Sequence, residues 1–160
     1  MTTTATIERL EGDLVAVAQC ILIDEAAFPH PSVWFGARSP DEIVWVAKSD
    51  PPARVVGFLA SQVTRGILYV SGLAVERRQR KQGVGRALLR TAIHHAAERG
   101  LAGVALCVSV TNDAAFDLYD SEGFVVTRRR RDYYSSQAFG GFRDALEMFR
   151  ASDRGGGGAG

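Results

Sequence analysis

Short apolar runs alternate along this chain with stretches whose apolar residues recur every three or four positions. Ala5 to Leu10 predicts a first strand. Asp13 to Ala27 carries Leu14, Val17, Ala18, Ile21, Leu22 and Glu25 at helical spacing, and Phe28-Pro29-His30-Pro31 ends that helix. A short helix is expected over Ser32 to Arg38, then strands over Ile43 to Ala47 and Val55 to Thr64 around the turn Ser49-Asp50-Pro51-Pro52. Ile67 to Val75 predicts the next strand, and Gly83 to Arg99 a long helix with Val84, Leu88, Ala92 and Ala96 on one stripe, stopped by Gly100. Val104 to Val108 reads as a buried strand and Asp113 to Ser121 as a helix. Val125 to Tyr133 and Ala145 to Phe149 read as two final strands. No repeat or long linker divides the series, so residues 1–151 are expected to form one α/β domain. Residues 152–160, rich in glycine, are expected to be a flexible tail.

At 160 residues and 46% hydrophobic, the chain is long enough to bury about 70% of its unfolded surface without disulfides or metal. Its net charge of +1 argues against general polyanion affinity, so no direct nucleic-acid binding is expected. Positive charge is concentrated at Arg77, Arg78, Arg80 and Lys81, and again from Arg128 to Arg131, the latter read as a surface feature. Cys20 and Cys107 both lie in apolar runs, which speaks for a reduced, cytoplasmic chain. No stretch is apolar enough to span a membrane, and Met1-Thr2-Thr3-Thr4 is too polar for a signal peptide.

Chemistry enters between the fourth predicted strand and the long helix. Gly83 and Gly85 sit at the helix start, where backbone N–H groups have no helical partner and carry partial positive charge, so an anion can approach. Arg80, Lys81 and Arg86 add charge. A P-loop is excluded because Arg86-Ala87, not Lys-Ser/Thr, follows the second glycine; a dinucleotide fingerprint is excluded because Leu88 stands where its third glycine belongs. Downstream, Asn112 is a favoured helix N-cap, Asp113 suits the positive helix end, and Gly123 stands at the C-terminal stop. Asn112 and Tyr119 project from one face of that short helix.

Arg80-x-x-Gly83-x-Gly85 resembles the pyrophosphate loop of the GCN5-related N-acetyltransferases, the GNAT family, and Asn112 to Tyr119 resembles that family's second motif. The element order is similar too, over nearly the whole chain. The resemblance implies a mixed, mostly antiparallel sheet of six to seven strands flanked by about four helices and splayed between the fourth and fifth strands. It implies acetyl-CoA as co-substrate, held by Leu73, Ala74, Val75, Arg80, Lys81, Gln82, Gly83, Val84, Gly85, Arg86, Asn112 and Tyr119, with no metal. Tyr119 would protonate the departing thiolate and the Val75 N–H would hold the oxyanion.

Within the family, the chain is most similar to the RimI-like N-terminal acetyltransferases of ribosomal proteins. Ala27-Phe28-Pro29, Arg130-Arg131-Asp132-Tyr133-Tyr134 and Asp144-Ala145-Leu146-Glu147-Met148 carry that likeness. By that likeness Phe28, Pro29, Tyr133 and Tyr134 wall the entrance for a peptide N-terminus, a ribosomal protein among the candidates. Two positions depart from the pattern. Arg77 replaces a common proline, and Cys107 replaces a glutamate that can take the amine proton. Flanked by Leu106 and Val108, Cys107 reads as a small buried hydrophobe, which leaves Glu76, or water relayed by Ser109, as candidate bases. Acetylation of a small amine (polyamine, amino acid or aminoglycoside) and a non-catalytic acetyl-CoA-binding module remain alternatives, and both monomer and homodimer are open.

Overall fold

The computed structural model describes residues 5–27, 41–49, 53–133 and 144–153. Seven strands form one sheet, β1 (Ala5–Arg9), β2 (Glu42–Ser49), β3 (Arg54–Thr64), β4 (Ile67–Val75), β5 (Gly103–Ser109), β6 (Val125–Arg130) and β7 (Ala145–Ala151). Their spatial order is β1-β2-β3-β4-β5-β7-β6, with β4 and β5 parallel and every other pair antiparallel. Among the described residues three α-helices accompany them: α1 (Leu14–Ala27), α2 (Val84–Glu98) and α3 (Asp113–Ser121). Arg77–Gln79 forms a single 3₁₀ turn. The short helix expected over Ser32 to Arg38 lies outside the described residues.

Period-two alternation sends β4's Leu68 and Val70 to one face of the sheet, where they meet Val104, Leu106, Val108 and Met148 beneath α2 and α3. The α2 stripe of Val84, Leu88, Ala92 and Ala96 is buried there, as its spacing predicts. On β3 a Cβ at Gly57 would come within 3.1 Å of the Ala74 carbonyl and 3.2 Å of Val84, so glycine there lets the start of α2 settle on the end of β4.

The other face of β2 to β4 packs on α1, through Val44, Val46, Val55, Phe58, Ala60 and Ala74. Here the expected stripe is corrected. Val17 and Ile21 pack against this core as expected, but Leu14, Ala18, Leu22 and Glu25 are exposed, and the residues α1 buries are Ala16, Cys20, Ile23 and Asp24. Two small side chains let the helix sit close to the sheet. The sixth strand also ends sooner than expected, at Arg130, because Asp132 turns into the left-handed region (φ 53°) with its N–H held by Asp144 Oδ1 at 3.0 Å.

α2 and α3 are joined by Glu122, whose carboxylate receives Arg86 Nη1 and, at 3.0 Å, Arg90 Nε. Burial by itself would push this carboxyl up, but the hydrogen bonds from Arg90 and Arg86 outweigh it and hold it below the usual range. Its folded value lies below its unfolded one, so the stabilisation is present above the unfolded value and is lost as pH falls through the folded one. Glu122→Gln should therefore lower the thermal midpoint by roughly 2–4 °C at neutral pH, the shift for about 1 kcal/mol in a chain of this size. In thermal melts the gap from wild type should close well below the ordinary carboxylate value of about 4.3.

Candidate active site

The parallel β4–β5 seam lasts three residues, Leu68, Tyr69 and Val70 against Val104, Ala105 and Leu106. Beyond it β4 stays with β3 as far as Val75, while β5 follows β7 as far as Ser109, so the sheet opens between them. A bulge sharpens the divergence. Ala60 faces Gly72 and Ser61 faces Val70, which leaves Ser71 as an extra residue on β4, its Oγ donating to the Ala60 carbonyl at 3.3 Å.

Strand geometry aims backbone donors into this gap. Glu76 donates its N–H to the Val56 carbonyl at 2.7 Å, which makes Gly57 and Val75 a facing pair without hydrogen bonds of its own. The Val75 N–H, and two residues back the Leu73 N–H, consequently point away from β3 and toward the opening. The Val75 carbonyl, on the same side, accepts Arg80 Nε at 3.1 Å. Arg80 thus fastens the loop to the end of β4.

The loop then turns through Lys81 (φ 62°) and Gly83 (φ 83°), a left-handed pair that only glycine adopts without strain at its second position. The first helical hydrogen bond of α2 runs from Ala87 N–H to the Gly83 carbonyl, and no side chain caps the helix. The amides of Val84, Gly85 and Arg86 therefore stand without helical partners at the positive end of the dipole. A Cβ at Gly85 would meet Leu118 and Val75 only at 3.6 Å, an ordinary contact. The packing of the protein itself therefore does not demand glycine there.

Two of the charged residues expected at the site are turned elsewhere. Arg86 donates to Ser121 Oγ at 3.0 Å and to Glu122, so its guanidinium braces α3. Glu76, a candidate base, holds Arg54 Nη1 on Oε2 at 2.6 Å. Lys81 and Gln82 are exposed beside the amides, with Gln82 Nε2 donating to the Arg78 carbonyl at 3.3 Å.

Asn112 and Tyr119 stand on α3, on the α2 side of the sheet. Asn112 caps the helix, its Oδ1 accepting from the Ala115 N–H at 3.2 Å, so its amide N–H₂ is the group left to offer a ligand. The Tyr119 ring is buried against Phe124, centroids 5.9 Å apart. Burial pushes its hydroxyl up to about 12, so it is protonated at neutral pH. Among the described residues that hydroxyl has no hydrogen-bond partner, and it is not among the fully buried polar atoms.

The opposite face of the gap has a different chemistry. Tyr69 lies between core-facing Leu68 and Val70, and Cys107 between core-facing Leu106 and Val108, so both point away from α2 and α3. Cys107 is accordingly half-buried, a correction to the small buried hydrophobe expected for it. Tyr69 donates to Cys107 Sγ at 3.2 Å, and its hydroxyl lies 3.4 Å from that of Tyr133, which also has the Arg130 guanidinium 5.5 Å above its ring. Burial first, then the hydrogen bonds with Cys107 and Tyr133, push the Tyr69 hydroxyl far above the ordinary phenol range, so it is a fixed donor. Burial likewise raises Tyr133. The sequence pattern does not single out Tyr69, since alternation alone cannot separate a site tyrosine from an ordinary strand aromatic. Phe28, Pro29 and Tyr134 lie outside the described residues. No cluster of metal-binding side chains occurs among the described residues, and none of their helices is long and apolar enough to cross a membrane.

A model of the acetyltransferase (GNAT) family matches residues 18–124. The chain belongs to this family. Among curated proteins, the [ribosomal protein bS18]-alanine N-acetyltransferase of Escherichia coli K12 is 36% identical over 143 residues, covering 89% of this chain and 95% of the relative. The crystal structure of the E. coli ribosomal-protein-S18-alanine N-acetyltransferase superposes with a TM-score of 0.82 at 27% identity, covering 97% and 98% of the two chains. Mycothiol acetyltransferase of Kocuria rhizophila is 37% identical over 97 residues, covering 57% of this chain and 31% of that protein. The GNAT chain described here is thus an acetyl-CoA-dependent N-acetyltransferase whose sheet opens between its fourth and fifth strands, as the sequence resemblance implied.

We expect Cys107, hydrogen-bonded by Tyr69 and set between core-facing Leu106 and Val108, to act as neither base nor nucleophile. Cys107→Ala should keep most of kcat on α-amine peptides. Complete loss of turnover in the folded variant, or acetyl found on Cys107 by intact-protein mass spectrometry, would make it catalytic.

Proposed function

We propose that this GNAT enzyme acetylates the N-terminal α-amine of a protein or peptide, with a ribosomal protein as the candidate acceptor. The observation that carries the reading is the two-sided gap between β4 and β5. The uncapped amides at the start of α2 and Tyr119 lie on one face and the Tyr69, Cys107 and Tyr133 group on the other. The near full-length likeness to an enzyme named for a ribosomal-protein alanine supports the choice of acceptor.

In this reading the amides of Val84, Gly85 and Arg86 hold the coenzyme pyrophosphate, and Lys81 adds charge. Leu73, Ala74 and Val75 line the path of the pantetheine arm, and the Asn112 amide donates to it. The Val75 N–H faces the carbonyl oxygen as it gains charge, and Tyr119, protonated at neutral pH, gives its proton to the departing sulfur. Acceptor chemistry fits a site without a carboxylate at 107. An α-amine is about a quarter neutral at pH 7.4, whereas a lysine is only about 0.1% neutral.

Small amines are the second reading, favoured by the partial likeness to mycothiol acetyltransferase. Coenzyme A release, followed with a thiol reagent against peptides differing in their first residue, α-amine-blocked lysine peptides and polyamines, separates the two. Turnover on unblocked peptides alone supports the proposal; turnover on polyamines alone overturns it.

A further inference from the structure

Glu147 on β7 stands directly across from Cys107 on β5. Facing residues of an antiparallel pair share one face of the sheet, with Cβ atoms about 5 Å apart. The carboxylate therefore joins Tyr69, Cys107 and Tyr133 on the face turned away from Tyr119, beginning one residue past the point where β4 and β5 part. Two arginines of β6 hold it, Arg128 Nη2 at 3.1 Å and Arg130 Nε at 3.4 Å, both on Oε2. Among the described residues neither arginine donates a hydrogen bond to Oε1. The side chain is 25% exposed, so water and a small cationic group reach it.

Other described carboxylates are less suitably placed. Glu76 holds Arg54, Glu122 braces α2 against α3, and Asp144 is engaged by Arg129 and by the Asp132 N–H.

We propose that Glu147 is the general base of the acceptor site, a carboxylate displaced one strand from position 107, and that it also selects acceptors bearing an α-ammonium. This inference rests on the α-amine reading given above. The acceptor ammonium gives one proton to Glu147, directly or through one water, and Glu147 passes it to solvent. The freed nitrogen lone pair forms the N–C bond to the acetyl carbon and the C–S bond breaks. Tyr119 gives its proton to the leaving sulfur and recovers one from the acylated nitrogen. The sum is an ammonium and a thioester giving an amide, a thiol and one proton. Among the described residues, the charged and titratable groups around Glu147 are Arg128 and Arg130 of β6, Cys107 of β5, Tyr69 of β4 and Tyr133 beyond β6.

The test is kcat/KM for a short lysine-free peptide with a free N-terminus, from about pH 6 to about pH 9.5, a range spanning the α-amine value near 7.8. Glu147→Gln should lose about 10²-fold at the acid end, narrowing to within about tenfold at the alkaline end, where the amine deprotonates unaided. KM for acetyl-CoA should be unchanged. Adding Cys107→Glu to Glu147→Gln should recover at least about tenfold at low pH by returning a carboxylate to β5. If Glu147→Gln does not fold, Glu147→Asp keeps the charge against both arginines while withdrawing the oxygens by one methylene. It should show the same acid-limb loss and alkaline recovery. A glutamine or aspartate variant within threefold of an active wild type across the range, or a pH-independent loss that Cys107→Glu does not relieve, overturns the role of Glu147 alone. A wild type inactive on the peptide yet active on polyamines overturns the acceptor reading and this inference with it.

Discussion

Tyr119→Phe should lower kcat by about 10²- to 10⁴-fold while leaving acetyl-CoA affinity almost unchanged. The ring is what the fold uses, packed against Phe124 inside the core formed by α2 and α3, and phenylalanine preserves it. The hydroxyl has no partner among the described residues, so its removal leaves no protein group unsatisfied. Its loss should register in the step that expels the thiolate. Calorimetry for coenzyme binding and pre-steady-state thiol release give the two halves of the comparison. A kcat within a few-fold of wild type would return Tyr119 to a purely structural role.

Gly85→Glu should abolish acetyl-CoA binding. The substitution puts both bulk and negative charge at the start of α2, where the amides of Val84, Gly85 and Arg86 present the positive end of the helix dipole. The fold should survive, since the nearest atoms to a new Cβ are Leu118 and Val75 side chains at 3.6 Å. Gly85→Ala is the sharper control. It should retain the wild-type melting temperature yet weaken the coenzyme measurably, because only the ligand needs the space. Unchanged affinity in a folded Gly85→Glu protein would remove the glycine loop from the binding site.

Local pattern makes much of the fold and half of the site legible in the amino-acid sequence, and the reason differs by element. Ile67–Val75 and Asp113–Ser121 have the ends expected of them, since alternation marks the strand while Asn112 and Gly123 mark the helix boundaries. Gly83 and Gly85 stand out because local chain geometry determines what a helix start can bind. α1 defeats the same reasoning. Its apolar residues run nearly all round the helix, so spacing cannot choose between the Leu14 and Leu22 face and the Ala16 and Cys20 face that packing selects. Arg86 reads as a phosphate contact in the sequence because its partner Glu122 lies past the end of another helix, beyond local pattern. Tyr69 and Glu147 are out of reach for a related reason. Each becomes a neighbour of Cys107 only through long-range strand register, a property of the whole sheet.

The most direct test of the α-amine reading is to locate the transferred acetyl group. Purified enzyme and acetyl-CoA should be incubated near neutral pH with a peptide carrying both a free N-terminus and an internal lysine, and the product fragmented by tandem mass spectrometry. A single acetyl group on the N-terminal nitrogen, with the lysine unmodified, is the predicted result. Acetyl on the lysine side chain with the N-terminus free would contradict the account.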